Sequence, residues 1–205
     1  MERDQAVAAV ELYAQRLSQA IASVRLEQVC ELAALLDATR LAGEQVLIIG
    51  NGGSASTASH MATDLGVGSD LLVPHLRAIS LTDNQAVITA TGNDRSFDEI
   101  YARQVRLLGR KGDVLIAISA SGNSPNIVQA VADAKALGLV TVGITAFDGG
   151  QVREMSDLSI HVQTAKGDYG PAEDAHMMIN HMVAQLLRGQ LLGPNPDLAV
   201  KGQVS

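Results

Sequence analysis

The sequence predicts an α/β fold, a doubly wound sheet of five parallel strands flanked by helices. Short apolar runs rich in Val and Ile alternate with longer helical stretches along the 205 residues, and this alternation is typical of a parallel sheet. Only 2% of the residues are aromatic although 47% are hydrophobic, so aliphatic side chains must form the core, which suits helices packed on a buried sheet. We expect one domain at residues 1–195 and a loose tail at residues 196–205.

The predicted strands are short apolar runs bounded by turn residues. The first, QVLIIG at residues 45–50, is rich in β-branched residues and leads into a glycine-rich turn, as a buried strand in a parallel sheet does. The third, DVLIAIS at residues 113–119, has the same character. The predicted strands are residues 45–50, 76–81, 113–119, 140–145 and 158–162.

Two helices at residues 4–25 and 27–41 precede the first strand and predict an N-terminal αα-hairpin. They carry more apolar positions than one docked face requires, so we expect residues 1–42 to pack against another subunit as well. The other predicted helices are residues 54–65, 84–90, 97–108, 124–137 and 171–192.

Charge and composition exclude several classes of function. Fifteen Lys and Arg residues against 22 Asp and Glu give a net charge of −7, which argues against a nucleic-acid-binding surface. The single cysteine, Cys30, excludes an internal disulfide framework and is expected to be a buried apolar residue of a helix. The N-terminus lacks the apolar core of a signal peptide, and no run approaches the roughly 20 residues that span a bilayer. We expect a soluble, cytoplasmic protein that binds no membrane.

Two strand-to-helix junctions carry the same polar residue types. The first is GNGGS at residues 50–54, and the second is SASGNS at residues 119–124. Ligands of doubly wound sheets bind at the carboxyl ends of strands. Glycines there allow close approach of the backbone to a ligand, and serine hydroxyls and helix N-termini bind phosphate oxygens.

Each junction alone is equally consistent with an ordinary turn and helix cap. The occurrence of two such loops after apolar strands favours a shared phosphate site. Neither loop matches GxxxxGK[ST] or GxGxxG, so we expect no nucleotide cofactor.

Imidazoles and carboxylates on two predicted helices could carry acid–base or metal chemistry. Four-residue spacing places His60 and Asp64 on one face of a helix. On the last helix, Glu173 lies about 80° around the axis from His181, whereas His176 points well away from His181. The last helix carries Glu173, Asp174, His176 and His181.

Three stretches resemble the sugar isomerase (SIS) family, and within it most resemble the phosphoheptose isomerases. They are GNGGSAS at residues 50–56, GND at residues 92–94 and GDVLIAISASGNSPNIVQAV at residues 112–131. The resemblance covers nearly the whole chain. It implies the SIS fold, a homotetramer, and an aldose–ketose isomerase that converts sedoheptulose 7-phosphate to D-glycero-D-manno-heptose 7-phosphate.

The resemblance also assigns residues to the sugar phosphate. Ala120 stands where relatives often have threonine, so one side-chain hydroxyl is missing while the backbone amide remains. The implied substrate-binding residues are Asn51, Gly52, Gly53, Ser54, Asn93, Asp94, Ser119, Ala120, Ser121 and Ser124.

Four further positions match family residues that carry out the chemistry. His60, Asp64, Glu173 and His181 stand where phosphoheptose isomerases carry His, Glu, Gln and His. In those enzymes the glutamate and the last histidine are the acid–base pair, and some members bind zinc with all four. Asp64 draws its carboxylate back by one methylene, and Glu173 adds a negative charge. We expect Zn²⁺ or a similar cation among the four, with His181 as acid and either carboxylate as base.

Two other functions are open at this point. The departures at Asp64 and Glu173 are compatible with an isomerase of another ketose phosphate. A non-catalytic SIS-type binding or regulatory protein, of the replication-initiator-associating kind, would keep the scaffold without the chemistry. Retention of two histidines and two carboxylates argues against that reading, because a scaffold does not need them.

Overall fold

The computed structural model describes residues 2–69 and 72–189, which form a parallel sheet with helices on both faces. The strand order is β2-β1-β3-β4-β5, and all neighbouring strands are parallel. The predicted fold class is therefore confirmed. The strands are β1 (Gln45–Gly50), β2 (Arg77–Ser80), β3 (Val114–Ser119), β4 (Val140–Thr145) and β5 (Leu158–His161).

The chain leaves β1 in one direction to form β2 and then returns to the other side of β1 to form β3. Such a reversal opens a crevice between the carboxyl ends of the two central strands, where doubly wound folds bind their ligands. The two polar loops follow β1 and β3. The sheet topology therefore brings both loops to this one crevice.

Helices cover both faces because the central strands are apolar on both. Val46 and Ile48 of β1 face a core shared with the second, third and last helices, whereas Leu47 and Ile49 face a second core beneath the fifth, sixth and seventh helices. The helices are α1 (Arg3–Ala22), α2 (Leu26–Ala42), α3 (Gly53–Leu65), α4 (Gln85–Asp94), α5 (Ala102–Leu108), α6 (Pro125–Leu137), α7 (Gly150–Met155) and α8 (Tyr169–Leu187).

The two leading helices are present and are held mainly by α8. Tyr13 of α1 donates a hydrogen bond to Asp174, and Arg16 forms an ion pair with Asp168 at 3.3 Å. Most of the remaining surface of α1 is exposed. Cys30 on α2 is exposed too, so its predicted burial is wrong, because it lies on the face of α2 that is turned away from the core.

Several predicted elements differ from the structure, some of them for local reasons. The predicted helix at residues 97–108 is divided into a short 3₁₀ turn at Phe97–Glu99 and α5. The helix α7 was not predicted, since Gly149 and Gly150 at its start indicate a turn. The last helix begins at Tyr169, and Pro171 fits its first turn because no amide hydrogen bond is needed there. The predicted tail at residues 196–205 lies outside the described residues.

No helix among residues 2–69 and 72–189 combines the length and apolar character needed to cross a membrane.

Candidate active site

A polar cavity of about 280 Å³ lies at the crevice between the carboxyl ends of β1 and β3. We call it the serine cavity. It contains most of the residues predicted to bind a sugar phosphate, and it adds Tyr169 at the start of α8. The lining residues are Asn51, Gly52, Gly53, Ser54, Ile118, Ser119, Ala120, Ser121, Ser124, Tyr169 and Glu173.

The first loop passes so close to its surroundings that glycine is required. Gly52 has a positive φ of 55°, a backbone conformation that other residues rarely adopt. A β-carbon at Gly53 would collide with the carboxylate of Glu173. The hydroxyl of buried Tyr101 donates to the Gly50 carbonyl and so fixes the end of β1; burial raises the pKa of Tyr101 to about 12.

The second loop leaves its hydroxyl protons free for a ligand. The Ser119 hydroxyl oxygen accepts from the Gly122 amide at 3.1 Å, and that of Ser121 accepts from the Asn123 amide at 3.3 Å. Ser124 precedes α6, but its side chain forms no capping hydrogen bond. An ordinary cap would use that hydroxyl, so the arrangement favours anion binding over simple helix capping.

A pair of side-chain amides joins the first loop to α6, the helix that follows the second loop. The Asn51 side chain donates to Asn126 at 2.9 Å and accepts from the same Asn126 amide at 2.9 Å. Asn126 is almost completely buried. Asn51 is predicted to contact the substrate, whereas no role is predicted for Asn126; the position of Asn126 just after the second loop was the available sequence signal.

Three of the four predicted metal ligands, which lie on α3 and α8, come close together. His60 Nε2 lies 3.2 Å from Asp64 Oδ2 and 3.2 Å from His181 Nε2, and His181 Nε2 lies 3.9 Å from Asp64 Oδ2. We call these residues the His–Asp cluster. Both imidazoles are half-exposed. Two nitrogens and one carboxylate oxygen suit zinc with an open coordination position, so the donor set fits this metal.

Two residues that the sequence analysis did not identify hold Asp64. Asn180, fully buried on α8, donates from Nδ2 to Asp64 Oδ2 at 2.8 Å. Arg188, at the end of α8, donates to the Asp64 backbone carbonyl at 2.9 Å and lies 3.8 Å from Oδ1. A polar residue amid the apolar positions of α8 was the only sequence signal for Asn180.

Glu173 lies in the serine cavity and is not part of the group formed by His60, Asp64 and His181. Its carboxylate packs against Gly53 and forms no hydrogen bond or ion pair with any described residue. Burial raises the pKa of Glu173, and the negative charge of Asp174 raises it further. The carboxyl group is therefore easier to protonate than an exposed glutamate.

Asn93 and Asp94 are not among the residues that line the serine cavity. Both are exposed at the end of α4, where Asn93 Nδ2 donates to Asp94 Oδ1 at 2.8 Å. Neither lines the cavity within this chain. Their assignment to the substrate stays a prediction.

The remaining histidine of α8, His176, points away from the cluster, as its spacing predicts. It is completely buried, and burial lowers its pKa to about 4. Neither ring nitrogen has a well-formed hydrogen bond, although the Thr145 backbone lies near enough to oppose the shift weakly. His176 is thus a structural residue of the core.

Comparison with known proteins finds relatives that cover most of the chain. The SIS domain profile matches residues 11–146. The chain is 41% identical over 151 residues to a phosphoheptose isomerase of Burkholderia pseudomallei (strain 1710b), covering 74% of this chain and 76% of the relative. It is 35% identical over 182 residues to a phosphoheptose isomerase of Chlorobaculum parvum, covering 88% and 87%.

Solved structures agree with this relationship. The phosphoheptose isomerase GmhA of Neisseria gonorrhoeae superposes with a TM-score of 0.81 at 30% identity, over 92% of this chain and all of that one. A phosphoheptose isomerase of Francisella tularensis gives a TM-score of 0.78 at 28% identity, over 92% and 99%.

Proposed function

Because the chain belongs to the SIS domain family and groups with its phosphoheptose isomerases, we propose that it interconverts sedoheptulose 7-phosphate and D-glycero-D-manno-heptose 7-phosphate. The reaction is an aldose–ketose isomerisation. The observation that carries the proposal is the position of α3 and α8, each of which contributes residues both to the serine cavity and to the His–Asp cluster.

The serine cavity is the proposed site of the phosphate group. Free hydroxyl protons of Ser119, Ser121 and Ser124 can donate to its oxygens, and the N-termini of α3 and α6 add amide groups and partial positive charge. This chemistry binds a phosphate dianion without a lysine or arginine among the lining residues.

Isomerisation moves one proton between adjacent carbons and another between their oxygens. We assign the oxygen-bound proton to His181 as acid, and the carbon-bound proton to a carboxylate, Asp64 or Glu173. A zinc ion would be held by His60, Asp64 and His181, and when bound it would supply Lewis-acid polarisation of the sugar oxygens.

We further propose that the enzyme is a homotetramer of the cytoplasm. On α1 the apolar side chains Val7, Val10 and Leu12 are 49%, 69% and 53% exposed, and burial of such side chains against another subunit would be favourable. A phosphorylated sugar substrate is consistent with the cytoplasm.

The test is turnover of sedoheptulose 7-phosphate by the purified protein, with and without a metal chelator, followed by NMR of the aldose product. We expect turnover that is lost with chelator and restored by zinc. Conversion of a pentulose or hexulose phosphate instead would reassign the substrate. No conversion of any ketose phosphate would contradict an isomerase and would favour a binding protein.

A further inference from the structure

The two carboxylates near the substrate site differ in how their oxygens are used. Asp64 belongs to the His–Asp cluster, and Glu173 lines the serine cavity. A base that removes a proton from carbon needs an oxygen lone pair that is free and directed at the substrate. The contacts of each carboxylate therefore indicate which one can serve.

Asp64 has both oxygens engaged by the protein. Oδ2 accepts from buried Asn180 at 2.8 Å and lies 3.2 Å from His60 Nε2, while Oδ1 faces the Arg188 guanidinium at 3.8 Å. Arg188 also holds the backbone carbonyl of Asp64. A carboxylate fixed in this way is well suited to orient beside two imidazoles as a ligand. It is poorly suited to swing towards a sugar carbon.

Glu173 is in the opposite situation. No described residue forms a hydrogen bond or ion pair with its carboxylate, and it is the one carboxylate among the residues that line the serine cavity. A negative charge beside a phosphate site weakens anion binding, and a part-buried carboxylate without a partner is itself unfavourable. A structural role does not account for a residue with both costs.

We propose that Glu173 is the base that moves the carbon-bound proton, and that Asp64 is a fixed ligand of the His–Asp cluster; this inference rests on the proposed isomerase function. In the ketose-to-aldose direction, the Glu173 carboxylate takes the proton from C1. The electron pair of that bond forms the C1–C2 double bond of an enediol while His181 gives a proton to O2. Glu173 then returns its proton to C2, and His181 takes the proton from O1, which leaves the aldehyde at C1.

The experiment measures proton removal directly. Wild-type protein and the isosteric variants Glu173→Gln and Asp64→Asn are incubated with sedoheptulose 7-phosphate in D₂O, and deuterium at C1 of the recovered ketose is followed by NMR. Zinc content is measured on the same samples by mass spectrometry. Asp174→Asn is the matched control, since Asp174 is the adjacent carboxylate on α8 and bonds to Tyr13.

Glu173→Gln is expected to lose deuterium incorporation by about 10²–10⁴-fold, the usual contribution of general acid–base catalysis, with zinc content unchanged. Asp64→Asn is expected to lose zinc and to recover incorporation as zinc is added. The Asp174→Asn control should stay within a few-fold of wild type.

The inference is overturned if Glu173→Gln exchanges at a rate near that of wild type. It is equally overturned if Asp64→Asn keeps its zinc and loses all exchange. A wild-type protein that neither converts the sugar nor incorporates deuterium would contradict the proposed function itself, which distinguishes the two failures.

Discussion

The serine cavity and the His–Asp cluster share α3 and α8 but are built in different ways. The cavity is lined mostly by loop residues at the ends of two strands, so the sheet topology largely determines its position. The cluster consists of half-exposed side chains that two helices bring together. The proposed phosphate binding would therefore follow from the fold, whereas the proposed chemistry would depend on a few exchangeable side chains such as Asp64.

The most severe test of this division is His181→Ala. The variant removes the proposed acid and one cluster ligand, so we expect turnover to fall by about 10³-fold or more. The secondary structure and oligomeric state should be unchanged, because the side chain is half-exposed. Steady-state kinetics and size-exclusion chromatography check both expectations. Substantial residual turnover would remove His181 from the chemistry.

A smaller effect, on zinc affinity, is expected from replacing Asn180, the buried residue that holds Asp64 by a hydrogen bond. Asn180→Leu keeps the branched shape of the buried side chain and removes its hydrogen bond to Asp64, and such supporting contacts usually contribute 10–100-fold to metal affinity. We expect a zinc affinity weaker by about that factor, measured by competition with a chromophoric chelator. Asn180→Asp, which leaves a polar group but no amide donor, is the companion variant. Wild-type affinity in both would show that Asn180 does not support the cluster.

Substitutions in the serine cavity should weaken substrate binding rather than slow the chemical step. Ser121→Ala removes one hydroxyl that can donate to the phosphate, and a hydrogen bond to a charged group contributes about 1.5–3 kcal/mol. We expect KM to rise by about tenfold or more with kcat nearly unchanged, because the phosphate is held equally before and during reaction. An effect confined to kcat would count against a phosphate-binding role.

The smallest expected effect concerns His176, which belongs to neither the serine cavity nor the His–Asp cluster and should affect only the pH dependence of stability. Burial lowers the pKa of His176 from 6.5 to about 4, so the unfolded chain takes up this proton at a higher pH than the folded one. The contribution of neutral His176 to the free energy of unfolding is therefore fully present above pH 6.5. It is lost as the pH falls towards 4, and the loss is on the order of 3 kcal/mol. His161, whose pKa burial also lowers, adds in the same direction.

His176→Leu should flatten this dependence without loss of stability at pH 7.5, because neither ring nitrogen is well bonded in the native protein. Urea unfolding at a series of pH values, at one protein concentration, measures the effect. A variant with the same slope as wild type would show that another group controls the acid response.

The sequence predicts the cavity better than it predicts the cluster. Ser119 ends a recognisable strand and Ser121 and Ser124 follow it, so periodicity and loop composition place them at the end of the sheet. Helical spacing also pairs His60 with Asp64. No local pattern specifies how two distant helices approach one another, and the predicted grouping of Glu173 with the imidazoles depended on such an approach.

Residues that support others were the hardest to foresee. Asn126 bonds to Asn51, and both Asn180 and Arg188 bond to Asp64. The partners are separated by 75, 116 and 124 positions in the sequence. Such pairs arise only from the packed tertiary structure. The six-residue helix α7 was missed for a simpler reason, because the glycines at its start are typical of a turn.

The reciprocal amide pair of Asn51 and Asn126 has a thermodynamic consequence. Two hydrogen bonds lock the spacing of the β1 and β3 loops before any sugar arrives, so little conformational entropy remains to be lost on docking. A phosphate that binds at this cavity would therefore meet a preorganised pocket. Inorganic phosphate, a compact dianion, should then bind to the same rigid pocket as the phosphate group of the sugar.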